Sequence, residues 1–435
     1  MPDTPTSAPG RPDPSGPSEH PETGRTRVVA AGRSIQEPAA IANVPVSRAS
    51  TVLFDSLAGA EVAGEGAARG ARHVTTYGTV GTPVTMALTD ALAEIEGAGH
   101  ACRAALMPSG LSAITSFLFA FLSPGDHLLV SDSVYGPTRT FCDGLLQRYG
   151  VHTEYFDPLV GARIAELIRP QTRVVYLESP GSYTFEIQDV PAICKVARER
   201  GVLTAIDNAW ASPAFARPFA WGVDASIVPL TKYWGGHSDL LMGAIVVREA
   251  LWPRLWTTVR QLGVCVGADD AWLALRGLRT AEVRMRAHQA SALQVARWLA
   301  ARPEVESVLY PALESHPQHD VWRRDFTGAS GLFSFEVKPQ LFGSDAHALA
   351  RGMAALCEGR RYFGIGYSWG GFESLIMPAK IGALRSTRPW RGGPLVRVHI
   401  GLEEPSELIA DLAEGFEALR RLNTHPPGVS RPVHT

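Results

Sequence analysis

The sequence is short of lysine, of net charge and of paired cysteine. Lys195, Lys232, Lys338 and Lys380 are the only four lysines in 435 residues. Lys and Arg together number 41 against 43 Asp and Glu, a formal charge of −2, and no Lys/Arg run exceeds two residues. This argues against a protein held to nucleic acid by a basic surface. The cysteines (Cys102, Cys142, Cys194, Cys265 and Cys357) are odd in number and none lies at C-x-x-C spacing. A disulfide framework or zinc ribbon is therefore not expected, and a reduced, cytoplasmic setting is. The N-terminus lacks a basic segment followed by an apolar one, so no signal peptide is expected. The longest apolar stretch, around Leu111 to Leu122, is too short and too polar to span a bilayer, so no membrane partner is expected.

What is present is a globular composition, 45% hydrophobic and 19% charged, in a chain long enough for two to three domains. Residues 1–24 carry seven prolines and almost no large apolar side chains, and read as a disordered tail; residues 423–435 form a second ragged end. Between them, short aliphatic runs alternate with amphipathic stretches. His127–Ser131, Arg173–Leu177, Val202–Ile206, Ala225–Val228 and Gly243–Val247 read as strands, Pro137–Tyr149 and Val190–Arg200 as helices. Such alternation implies an α/β fold with a mostly parallel sheet covered on both faces. From about Ala268 the texture changes. A long helix over Ala271–Trp298, strands at Gly331–Val337 and Leu395–Ile400 and a final helix at Pro405–Leu422 read as a smaller α+β domain. His316-Pro317-Gln318-His319 has two histidines close together, but in a Pro-containing segment that reads as a solvated loop rather than a metal site.

Three motifs carry chemistry. In SIVPLTKYWGGHSD, from Ser226, a lysine follows an apolar strand and precedes Gly-Gly. Lys232 is then either a snorkelling surface residue or a desolvated amine of lowered pKa, as a Schiff-base lysine requires. Asp207, in AIDNAW, ends another apolar strand 25 residues earlier. It reads either as a helix cap or as the partner of the pyridine nitrogen of pyridoxal 5'-phosphate (PLP). In PSGLSAI, Ser109-Gly110-Leu111 opens an apolar helix whose free N–H groups suit a phosphate, or is simply a cap. Tyr135, just after a strand, reads as a stacking ring or as core.

The longer motifs resolve these readings by resemblance. FDPLVGA from Phe156, LESPGS from Leu177, IDNAWA from Ile206, TKYWGGHSD from Thr231, RDFTGASGLFSF from Arg324, YSWGGFESL from Tyr367 and VRVHIGLEE from Val396 resemble the Cys/Met-metabolism family of fold type I PLP enzymes, and within it the bacterial cystathionine β-lyase branch, over roughly Ile41 to Leu422. The resemblance implies an aspartate-aminotransferase-like large domain with a mostly parallel seven-stranded sheet over residues 83–278, preceded by an arm over 25–82 that contacts a neighbouring subunit. A smaller α+β domain over 279–422 follows. It implies that Lys232 holds PLP and shuttles protons, Asp207 pairs with the ring nitrogen, and Tyr135 stacks on the ring and assists proton transfer. Gly110, Leu111 and Thr231 would hold the phosphate, and Tyr77 would reach the phosphate of the neighbouring subunit. Arg397 would clamp the substrate carboxylate, with Ser368, Trp369 and Ser182 lining the same pocket. It implies a homo-oligomer sharing active sites between two chains, as a dimer or a tetramer.

Some positions depart from that pattern. Thr79 stands where the family has a phosphate-contacting Arg, Pro229 stands where it commonly has a small residue, often Ser, and Arg260 falls near the place of a substrate-lining Tyr. The expected reaction is elimination at Cβ with C–S cleavage, giving pyruvate, ammonia and a thiol. The alternative is γ-elimination or γ-replacement on an activated 2-aminobutyrate, such as an O-acylhomoserine or S-adenosylmethionine. LESPGS favours the first and the departures favour the second. A non-catalytic PLP-fold protein would be expected to lose Lys232 or Asp207, and both are present.

Overall fold

A computed structural model describes residues 24–32, 41–342 and 345–424. The expected tail before residue 24 and the chain after 424 lie outside the described residues.

Seven strands form the larger sheet: β1 (Cys102–Met107), β2 (His127–Ser131), β3 (His152–Phe156), β4 (Thr172–Glu178), β5 (Leu203–Asp207), β6 (Ala225–Val228) and β7 (Gly243–Arg248). Their spatial order is β1-β7-β6-β5-β4-β2-β3. The neighbours from β6 to β3 run parallel, and β7 is antiparallel to both β6 and β1. Every residue of β2 and β6 is buried, because helices cover both faces of a parallel sheet and leave no polar side. One face is packed by the helices Pro83–Gly97 and Val190–Glu199 and the start of a 33-residue helix, Ala268–Ala300. The other is packed by Gly110–Phe121 and Trp252–Gln261.

The long helix runs through residues 278 and 279, where the sequence suggested a domain boundary, and its second half enters the other core. There β8 (Val305–Leu309), β9 (Leu332–Val337), β10 (Leu375–Ala379) and β11 (Leu395–His399) form an antiparallel sheet, order β10-β11-β9-β8. The helices Ala346–Cys357 and Pro405–Thr424 pack with it.

Two local readings, of Pro137–Tyr149 and of His316, differ from the structure, and the expected arm shows a contact within its own chain. The stretch Pro137–Tyr149 is not one α-helix: Gly136–Phe141 is α-helical, and Cys142–Leu146 widens into a π turn in which the Asp143 carboxylate accepts the Tyr155 hydroxyl at 2.6 Å. The start of the expected arm lies on its own subunit, with Val28 and Ala31 buried and Arg279 donating to the carbonyls of Val29 and Ala31. His316 is not solvated: it is buried, its Nδ1 accepts from the Gln318 amide, and burial lowers its pKa to about 4.

Parallel strands place their carboxyl ends on one edge of the sheet, where ligand sites of open α/β folds form. Here the ends of β2, β4, β5 and β6 deliver Tyr135, Glu178, Asp207 and the turn Pro229–Lys232 to one place. The loop Tyr367–Gly371, just before β10, and Arg397 on β11 close over them from the smaller sheet.

Candidate active site

These elements enclose a cavity of about 350 Å³. Of the residues singled out in the sequence, Gly110, Leu111, Tyr135, Ser182, Asp207, Thr231, Lys232, Ser368, Trp369 and Arg397 line it. Lys232 is half-buried rather than snorkelling at the surface. Its Nζ donates to Ser368 Oγ at 2.6 Å and lies 5.0 Å from the centre of the Trp369 ring. Burial, helped by the nearby Arg397 guanidinium and opposed by Asp207, lowers the amine to about 8. Ser368 holds a left-handed backbone at φ 74°, a strained conformation for a residue with a side chain and one that concentrates at functional sites.

Asp207 is buried, and its Oδ1 accepts from the amide of Ala209, two residues on, so it closes a turn rather than capping a helix. Burial raises its carboxyl to about 6, against the pull of the Ala209 N–H and of Lys232. Arg397 donates to the carbonyls of Ser368 and Gly366 at 3.2 and 3.5 Å and has no ion pair among the described residues. It is a guanidinium without a carboxylate, facing a cavity.

The helix Gly110–Phe121 points its N-terminus at the same cavity. Ser109 caps it by accepting from Ser112 N, and Ala113 N bonds the Ser109 carbonyl. The amides of Gly110 and Leu111 remain as first-turn donors, an anion-binding pair. A side chain at Gly110 would bring its Cβ to 2.9 Å from Pro229 Cβ, and one at Gly243 would come to 2.4 Å from the Ser109 carbonyl oxygen. This packing holds the helix end against the lysine turn. A half-buried amine of lowered pKa, a buried acid lining the same cavity and paired free amides fit PLP: Lys232 for its carbonyl carbon, Asp207 for its ring nitrogen, Gly110 and Leu111 for its phosphate.

Residues 25–417 match the Cys/Met metabolism PLP-dependent enzyme family. The chain belongs to that family. It is 46% identical to a putative cystathionine β-lyase of Rhizobium johnstonii, over 86% of this chain and 91% of the relative. It is 40% identical to the cystathionine β-lyase MetC of Escherichia coli, over 90% and 97%. Among solved structures, the cystathionine γ-synthase of Xanthomonas oryzae pv. oryzae in complex with aminoacrylate and cysteine superposes with a TM-score of 0.80 at 30% identity, covering 92% of this chain and all of that one. The cofactor of this family member is PLP.

Within the family frame, two expected site residues stand outside the cavity. Arg260 is not beside the substrate space of its own subunit. It lies on the helix Trp252–Gln261, donates to the Ala67 carbonyl at 3.1 Å and sits over Trp256. Tyr77 is half-exposed and fixed by a bridge to Thr51, with Thr79 exposed beside it. The Thr231 hydroxyl lines the cavity but is engaged with Met242, donating to its carbonyl at 3.2 Å and accepting from its amide at 3.1 Å.

Two acids went unread in the sequence. Glu178 ends β4 in direct register with Asp207, lines the cavity, and accepts the Tyr135 amide at 2.6 Å. An acid terminating an apolar strand, the pattern that picked out Asp207, was the available signal. Asp132, fully buried after β2, accepts from Arg139, from the amides of Ser386, Thr387 and Arg388, and from the Ser386 hydroxyl. Burial opposes its charge, but these donors hold the carboxyl down at about 2. Arg385 extends the clasp to the Ser182 carbonyl at 2.7 Å. No spacing in the sequence announces a contact across some 250 residues. Among the described residues no group of three or more His, Cys, Asp or Glu could hold a metal ion, and no helix is long and apolar enough to cross a membrane.

Proposed function

We propose that this chain cleaves the Cβ–S bond of an amino acid, as cystathionine β-lyases do, releasing pyruvate, ammonia and a thiol. The observation that carries the reading is the Lys232 amine, lowered to about 8 and held 2.6 Å from Ser368 in a cavity that also contains Arg397, which has no ion pair among the described residues. Arg397 receives the substrate carboxylate through two parallel N–H···O bonds, the geometry that a guanidinium fork offers. This sets Cα next to Lys232 Nζ. Ser368 orients that amine, which near neutral pH exchanges protons readily, and it takes the Cα proton. Bound PLP supplies the electron sink that stabilises negative charge at Cα. Asp207 holds the ring nitrogen. Tyr135 keeps its hydroxyl proton, since burial and the neighbouring Asp207 carboxylate push its pKa up, and it donates that proton to the departing sulfur.

A second reading, displacement at Cγ of an activated 2-aminobutyrate, rests on the altered phosphate surroundings: Thr79 in place of a cation, Pro229 against Gly110, and a Thr231 hydroxyl engaged with Met242. Tyr77, exposed and held by Thr51, completes the site of a second copy of the chain in a dimer or tetramer. The free cysteines, four of them buried, fit a reducing cytoplasm. Incubation with cystathionine and, separately, with O-acetylhomoserine tests the reading. Pyruvate from the first and nothing from the second supports it; 2-oxobutyrate from either replaces it with the second reading.

A further inference from the structure

We infer that Glu178 is a positioning residue for the reaction: its carboxyl group fixes the backbone of Tyr135 and so sets the place of that ring at the cavity. The inference rests on the reading of Tyr135 as a proton donor at this site. Tyr135 is the N-cap residue of the short helix Gly136–Phe141: its carbonyl accepts from the amides of Thr138 and Arg139 at 2.9 and 3.2 Å, while its side chain is 45% exposed and makes no capping bond. The amide of Tyr135 has one anchor, Glu178 Oε2 at 2.6 Å. That anchor is itself fixed, since Glu178 is a β4 residue whose own carbonyl accepts from Gln188 Nε2 at 2.7 Å.

The second half of the argument concerns charge. Glu178 and Asp207 are register partners at the ends of adjacent parallel strands, so their carboxyl groups share one wall of the cavity. Two carboxyl groups side by side in one cavity wall, one buried and one half-buried, resist ionising together. The groups facing Glu178 are Asp207, the Tyr135 amide and, more distantly, Arg385. Burial and Asp207 push its pKa well up, and the Tyr135 amide and Arg385 only partly offset them. Asp207 is the acid closer to Lys232 and the one that must be charged to hold a ring nitrogen. Glu178 therefore carries the proton, accepts the Tyr135 amide through its carbonyl-type oxygen, and leaves the negative charge on Asp207.

Glu178→Gln and Glu178→Ala in the holoenzyme, each with and without Tyr135→Ala, test this. Glutamine keeps the acceptor oxygen and is neutral. It is expected to match the parent in kcat, in PLP dissociation constant and in the pH midpoint of the bound cofactor's visible spectrum. Alanine removes the anchor. It is expected to lower kcat about tenfold with little change in KM, the scale of one lost hydrogen bond, and to have no further effect once Tyr135 is alanine. The cofactor affinity and spectral midpoint need no substrate, so they stand even if the C–S cleavage reading fails. The inference is overturned if Glu178→Ala leaves kcat unchanged, if its effect adds fully to that of Tyr135→Ala, or if Glu178→Gln moves the spectral midpoint downward, as loss of a negative neighbour would. Should the alanine variant not fold, the glutamine midpoint alone decides.

Discussion

Lys232 Nζ donates to Ser368 Oγ at 2.6 Å, joining the lysine turn after β6 to a strained residue of the loop that precedes β10. The lysine is thus held from both layers of the fold. Gly370, at φ +90°, lets the loop approach this closely, since a Cβ there would meet the Lys232 backbone at 3.0 Å. Ser368→Ala is expected to lower kcat roughly tenfold, the scale of one hydrogen bond to a charged or chargeable group, with cofactor content intact. Lys232→Ala is expected to lower kcat by about 10⁴-fold, as loss of a reacting group does, and to abolish borohydride-trapped cofactor. Steady-state kinetics and mass spectrometry of the reduced protein check both.

Arg397 faces the cavity without an ion-pair partner among the described residues, so its substitution exposes substrate binding rather than a domain tie. Arg397→Lys keeps the charge but loses the planar fork. It is expected to raise KM by about 10- to 100-fold, equivalent to one strong bidentate contact, while the unfolding midpoint stays near that of the parent. A loss of stability without a change in KM would assign Arg397 to packing.

The lysine also leaves a mark on stability. In the cofactor-free protein its pKa is about 8, against 10.5 for an unhindered lysine. Between these values the unfolded chain binds the proton that the folded chain has released, so this group makes stability rise with pH. Below about pH 8 both states are protonated and the folded form carries the full cost of burying the charge. Lys232→Met is therefore expected to raise apoprotein stability at pH 7 and to flatten its rise between pH 8 and 10. Denaturant titrations across that range measure the slope.

Asp132 ties the two layers by another route. Its buried carboxylate accepts from Arg139 and from the segment Ser386–Arg388. Asp132→Ala leaves the guanidinium and three amides without their acceptor, which is expected to cost about 3–5 kcal/mol. Because Arg385 in the same segment holds the Ser182 carbonyl, KM is expected to rise as well. Chemical denaturation and kinetics on one preparation separate the two effects.

The parts legible in the sequence were those with a local signature. The strands β2 and β6 begin and end where aliphatic runs meet Gly, Pro or Asp, and Lys232 and Asp207 stand at strand ends that sheet topology must bring together. Less legible were contacts made only by tertiary folding. Asp132 and Ser386 lie far apart in the chain, and Glu178 looked like part of a motif rather than a wall residue. The sequence did not show that Arg260 donates to the Ala67 carbonyl of its own chain, a contact across 193 residues. His316 looked solvated because its neighbour is proline, yet the chain folds it inward.

The central claim is that Lys232 removes a proton from Cα, and from nowhere else, before the Cβ–S bond breaks. Its most direct test is proton NMR of unreacted cystathionine recovered from the enzyme in deuterium oxide. The account predicts deuterium at Cα, none at Cβ, and pyruvate as the keto acid formed. Deuterium at Cβ of the recovered substrate, accompanied by 2-oxobutyrate, would contradict it.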